Sequence, residues 1–230
     1  MTETATLAAR YTISMNQLPV LTAAPMGLRE RRRRDTLREV SNAAIELFER
    51  NGVTETTVDD IAETAGISQR TFFRYYSTKE QAVCACDVGL GTVMERAVAA
   101  IRAGAPVVAA LEDAWMRLFD ELDASPEEHR RTLRVRRLVQ SEPTLLARTL
   151  ANEAERIEEL TAAAVDAAGP GIDVLTARAL FTVISTTTRL AFDEWARRVE
   201  KGADASVRDI YLDLRRGLGT YAKHLTDDLR

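Results

Sequence analysis

A chain of 230 residues sets a prior of one or two domains, and its 46% hydrophobic content is ample for a real core. Sparse glycine (11), proline (6) and aromatics (6%) favour helices over a turn-rich sheet protein. The formal charge of −4 argues on its face against a nucleic-acid binder, yet net charge is a sum and binding is local. The two cysteines, Cys84 and Cys86, are too few for a disulfide framework or a cysteine-only zinc site. They lie about 200° apart around a helix and read as small buried residues. The HExxH, GxSxG and GxGxxG signatures are missing, so no metal, acyl-transfer or dinucleotide chemistry is expected, and no cofactor. No apolar run approaches the roughly 18–20 residues of a membrane span, and residues 1–28 lack a secretory pattern; the expectation is a cytoplasmic protein. Of 31 basic residues 28 are arginine, which points to a GC-rich genome and weakens any argument from arginine abundance alone.

In chain order, residues 1–28 show no sustained period and read as a mobile tail; translation starting at Met26 or Met15 is a sharper expectation that mass spectrometry of the N-terminus would test. From Arg29 the spacing of Leu37, Val40, Ala44, Leu47 and Phe48 predicts a helix stopped by Asn51-Gly52. Thr57 and Asp60 form a capping-box pattern opening a second helix, which Gly66 breaks. Ser68 caps a short third helix through Tyr75, and Thr78 caps a fourth running from Lys79 to about Arg102. Three helices in residues 29–78, the last two joined by Ala65-Gly66-Ile67-Ser68, have the layout of a helix-turn-helix. Further helices follow: one striped with Leu111, Trp115, Leu118 and Phe119, one opening at Ser125-Pro126, one at Ser141-Glu142-Pro143, a long one over about 173–199, and a last one with Val207, Ile210, Leu214, Leu218 and Tyr221 on one face. The fold class is all-α, with about nine helices and no strand candidate. The domains are a tail (1–28), a helix-turn-helix domain (29–78) and a larger helical domain (79–230).

The run from Ala43 to Gly52, then Thr56-Thr57-Val58-Asp59-Asp60-Ile61-Ala62, Ala65-Gly66-Ile67-Ser68, and Thr71-Phe72-Phe73-Arg74-Tyr75-Tyr76 with Lys79-Glu80, resembles the DNA-binding domain of TetR-type transcriptional regulators. The match covers about fifty residues without a gap. More weakly, Arg134 to Pro143 resembles the ligand domain of a subset that responds to acyl-CoA-like effectors. The resemblance implies that the third helix enters the major groove with Gln69, Arg70 and Thr71 behind the capping Ser68. Gln suits adenine, Arg guanine, and the Thr methyl a thymine methyl. It implies Phe73 near the DNA backbone or a base methyl, phosphate contacts from Arg74, Tyr75, Lys79 and the Thr57 hydroxyl, and basic contacts from Arg31, Arg32, Arg33 and Arg34 near phosphates or the minor groove.

The same resemblance implies a homodimer through the last two helices, here with Thr187 in the small-residue run Ser185–Thr188 and with Val207, Ile210, Leu214, Leu218 and Tyr221; these residues could equally serve the chain's own core, and the two roles are not exclusive. Trp115, Phe119, Leu138, Phe181 and Phe192 could line an effector cavity or be ordinary core. Arg134, with Arg136 and Arg137 beside it, could face an anionic headgroup or be solvated near Glu127 and Glu128. The implied function is a ligand-responsive repressor that binds a palindromic operator as a dimer and is released by a small amphipathic or hydrophobic effector, acyl-CoA-like in the subset. An activator of the same fold, a helical adaptor and a helical enzyme are the alternatives; no convergent set of titratable groups supports the enzyme. The charge is uneven: residues 29–38 carry six arginines against Glu30 and Asp35, and the whole deficit of four lies in residues 81–230.

Overall fold

The computed structural model describes residues 27–84, 90–168 and 172–228. The tail up to Met26, with the expected alternative starts, and Cys86 lie outside the described residues. Two compact units are distinguished, Met1–Asp35 and Thr36–Arg230. Among the described residues there are ten helices and no strand. They are α1 (Leu28–Asn51), α2 (Val58–Thr64), α3 (Gln69–Tyr75), α4 (Lys79–Cys84), α5 (Leu90–Arg102), α6 (Val107–Asp123), α7 (Pro126–Ser141), α8 (Pro143–Ala168), α9 (Val174–Glu200) and α10 (Val207–Asp228). The expected single helix from Lys79 to Arg102 is described as two stretches, α4 and α5, with residues 85–89 outside the description. None of the described helices is long and apolar enough to cross a membrane.

In the shorter unit, the Arg31 amide donates to the Gly27 carbonyl (3.0 Å), and Arg31 to Arg34 lie exposed along the first turns of α1.

In Thr36–Arg230, local chemistry sets each helix end. At α2 the Thr57 hydroxyl accepts from the Asp60 amide (3.1 Å), while the Asp60 carboxylate accepts from the Thr57 amide (2.8 Å) and hydroxyl (2.7 Å). α2 ends on Gly66 at φ +67°, where the Gly66 amide donates to Glu63 O (3.1 Å) and the Ile67 amide to Ala62 O (2.9 Å). A Cβ there would meet no neighbour, so the roughly 1–2 kcal/mol cost of any other residue is torsional. Ser68 Oγ accepts from the Thr71 amide (3.1 Å) and starts α3. Ser125 caps α7 ahead of Pro126, and Asp173 caps α9.

Two apolar cores result. One joins Val40, Ile45 and Phe48 of α1, Ile61 of α2, Phe72 of α3 and Val83 of α4 to Val135, Leu138 and Val139 of α7. The other joins α5 to α10 around Phe119, Phe181, Phe192, Trp195 and Tyr211. Each buried large side chain contributes about 1.5–3 kcal/mol. α7 has a face in the first core and a second face turned toward α9, and α8 reaches both cores through Leu145 and Leu160.

Candidate nucleic-acid interface

α3 is held by one side and offers the other. Phe72 is fully buried, and Tyr76 just after the helix is buried with its hydroxyl donating to Leu37 O (3.3 Å). One position away from Phe72 around the helix, Gln69, Arg70, Phe73 and Arg74 are exposed, as i/i+4 pairs on one face. Phe73 is 52% exposed although it is a large apolar ring; its inner edge meets Phe72 at 5.6 Å, nearly perpendicular. Arg74 donates to the Tyr75 hydroxyl (3.0 Å) with its guanidinium 4.8 Å from the ring centroid, so the two act as one unit. Ser68 and Thr71 are occupied with each other, their hydroxyls 2.9 Å apart.

Two expected phosphate ligands have structural partners. The Thr57 hydroxyl is engaged by Asp60, and those same donors hold the Asp60 carboxyl below the usual carboxylate range. Lys79 Nζ donates to the carbonyls of Val53 (2.6 Å), Thr56 (2.7 Å) and Thr54 (3.3 Å). All three ammonium protons are thus engaged on the α1–α2 loop. Sequence spacing did not reveal this clamp, because its partners lie 23 to 26 residues upstream.

Comparison with known proteins fits this geometry. The family model described as bacterial regulatory proteins, tetR family, matches residues 41–85. A 49-residue stretch is 55% identical to MftR of Mycobacterium tuberculosis, and the chain spans only 25% of that protein's length. Over 185 residues the chain is 29% identical to the HTH-type transcriptional regulator TcmR of Streptomyces glaucescens, covering 78% of this chain and 81% of that one. Over 145 residues it is 31% identical to the HTH-type transcriptional regulator BetI of Rhizobium meliloti (strain 1021), covering 54% of this chain and 71% of that one. The chain belongs to the TetR family. It is a transcriptional regulator with a helix-turn-helix DNA-binding domain.

In this TetR-family regulator a cavity of about 70 Å³ opens among α4 to α9. Trp115 and Phe192 line it. Phe119 and Phe181 do not; they are buried in the larger core behind it. Leu138 packs in the helix-turn-helix core, and Arg134 grips Glu49 of α1 through Nε (3.0 Å) and a terminal nitrogen (2.6 Å). Arg137 pairs with Glu200 (2.8 Å). Of the arginine triplet it is Arg136 that lines the cavity, joined by Arg156 of α8 and Thr188 and Arg189 of α9, which sequence reasoning missed. The available signal was Arg189, a single charge set into an otherwise uncharged stretch of α9.

The expected dimer residues divide by burial. Val207 and Ile210 are buried in the chain's own core, and Thr187 is buried with its hydroxyl donating to Val183 O (2.6 Å). These three face inward, because α10 packs its first turns onto α9 and α6. Leu214 is half-buried, while Leu218 and Tyr221 are exposed, Tyr221 by 63%. Val183 and Leu190, one heptad apart on α9, are exposed large apolar residues that the sequence reading did not single out.

Proposed function

We propose that this regulator is a cytoplasmic homodimeric repressor that binds a palindromic operator and is released by a small-molecule effector. The observation that carries the reading is the outward face of α3: Gln69, Arg70, Phe73 and Arg74 are exposed while Phe72 and Tyr76 anchor the helix. In the major groove Gln69 would pair with adenine and Arg70 with guanine, and Phe73 would meet a thymine methyl. Arg31 to Arg34, Arg74 and Tyr75 would hold phosphates, with Ser68, Thr71 and Thr57 shaping the helix ends and Lys79 adding its charge beside the loop it clamps. Residues 29–78 serve as the DNA-binding part and 79–230 as the ligand and dimer part. Val183, Leu190, Leu214, Leu218 and Tyr221 are the apolar stripe for a four-helix dimer contact, which would set two α3 helices one DNA turn apart.

α7 supports a route from effector to DNA. It carries Arg136 to the cavity, and on its other side it is tied to α1 by Arg134–Glu49 (2.6 Å), Arg131–Ser41 (2.6 Å) and Arg38–Glu128 (2.6 Å). An effector that shifts α7 biases α1 and the spacing of the two recognition helices, with a coupling of about 1–3 kcal/mol typical of such systems. The test is a mobility-shift titration of the protein on its own upstream DNA across a salt series. Binding should weaken by roughly 0.9 log units per log unit of salt for each phosphate neutralised. No binding at low salt, or a flat salt dependence, defeats the proposal.

A further inference from the structure

Polar groups without partners flank the Phe192 ring. Among the described residues, the uncharged side chains buried with a polar atom that makes no hydrogen bond are Thr132, Thr188 and Trp195. Thr132 and Trp195 are 0% exposed and Thr188 is 3% exposed. An unmet buried donor is costly, and folded chains hold few of them. A helical threonine can bond to the carbonyl four residues back, as Thr187 does on Val183 and Thr161 on Ile157. Neither Thr132 nor Thr188 does so.

All three belong to one seam. Thr188, Phe192 and Trp195 share a face of α9, at i, i+4 and i+7. His129, Thr132 and Arg136 share a face of α7, at i, i+3 and i+7. The two faces are opposed: the His129 and Trp195 ring centroids are 4.6 Å apart, and the Arg136 guanidinium lies 4.8 Å from the Phe192 centroid. Thr132 therefore faces α9 between the levels of Phe192 and Trp195. Thr188 and Phe192 are on the cavity wall, with the polar side chains of Thr149, Asn152 and Ser185 beside them. Thr132 and Trp195 are not on that wall; they lie beyond Phe192 along the seam.

Resting on the reading of the cavity as the effector site, we infer that the effector passes the cavity wall and lodges in the α7–α9 seam, turning the Phe192 ring aside. It is an elongated, largely apolar molecule with an oxygen near each end. One oxygen accepts from the Thr188 hydroxyl. The other accepts from the Thr132 hydroxyl and from the Trp195 indole N–H, which can only donate. Seven residues of helix separate Thr188 from Trp195, so the two oxygens lie about 10 Å apart. A body wedged here moves α7 away from α9, which supplies the shift of α7 that release from DNA requires.

The experiment uses the full-length protein with octane-1,8-diol and nonane-2,8-dione. The comparators, octan-1-ol and nonan-2-one, each lack one oxygen. Calorimetric titration and thermal melting read the binding. At least one two-oxygen probe should bind and raise the melting temperature with concentration, and its comparator should bind about three- to tenfold more weakly. In Trp115→Phe the remaining indole is Trp195, and its emission should change as that probe binds. Thr132→Val should bring the probe down to the affinity of its comparator. It should leave the melting of the free protein unchanged or higher, because a methyl replaces an unmet hydroxyl. No binding of either probe, equal binding of the comparator, or a Trp195 emission that stays fixed overturns the inference. A free Thr132→Val protein that melts lower overturns it too, since buried water then already satisfies the hydroxyl. A mobility shift on the upstream DNA runs in parallel. Intact DNA binding beside a missing probe response sinks only the seam, whereas absent DNA binding sinks the repressor reading instead.

Discussion

Three carbonyl oxygens surround the Lys79 ammonium, and this one side chain separates two roles that residue type alone merges. A lysine at the start of a helix beside a recognition helix suits a phosphate by charge, and here it also fastens the loop on which the Thr57 cap sits. Lys79→Met should therefore lower thermal stability by about 1–3 kcal/mol and weaken binding to all DNA sequences alike, read by melting and by mobility shift on unrelated duplexes. Arg70→Ala should leave melting unchanged and cost about 1–3 kcal/mol of discrimination at one base pair, read with a panel of single-substituted operators. Equal losses of stability in the two variants would show that the roles are wrongly divided. The outward residues of α3 were legible because the Ser68 cap fixes where the helix starts and the family resemblance aligns Gln69, Arg70 and Phe73 with DNA-facing positions. The Lys79 clamp was not, since only the fold brings residues 53–56 to it.

At the scale of single helices, caps and stripes carry most of the information. The α2 capping box is written in Thr57 and Asp60 and is present with both arms. Asp60 is held below its ordinary pKa by the Thr57 hydroxyl and amide. A group depressed in the folded state adds stability above its unfolded pKa and loses it as pH falls through the folded one. Asp60→Ala should thus lower the melting temperature at pH 7, and the gap from the parent protein should close as pH drops below about 4, read by melting across a pH series. A gap that stayed constant to pH 2 would exclude the carboxylate as its source. α7 marks the limit of reading one element. Its sequence offers Arg134, Arg136 and Arg137 within one turn, and periodicity shows only that 134 and 136 point in different directions. Which of them meets α1 and which meets the cavity depends on where α1 and α9 lie.

Across the whole molecule, the negative charge and the apolar stripes sort the surface. The acidic excess lies in residues 81–230 and the basic cluster in residues 29–38, an arrangement that favours a few placed DNA contacts over general adhesion. The exposed apolar residues of α9 and α10 are unpartnered within one chain. Leu218→Glu should convert the protein to a well-folded monomer with unchanged helicity and much weaker operator binding, read by analytical ultracentrifugation and circular dichroism. Val207→Glu should instead unfold it, because that side chain is fully buried in its own chain. A Leu218→Glu protein that remained a dimer would remove α10 from the interface.

By itself the sequence determined the all-α class and most helix ends, because caps, glycine turns and apolar periods act within a few residues of one another. It also carried the family, through some fifty contiguous residues. The tertiary structure alone decided the rest: that Val207 and Ile210 turn inward while Val183 and Leu190 stay outside, that Arg134 ties α7 to α1, and that Arg136, Arg156 and Arg189 share one cavity with an unpartnered Thr188. A helical stripe tells which residues point the same way. What they point at depends on packing among helices distant in the chain.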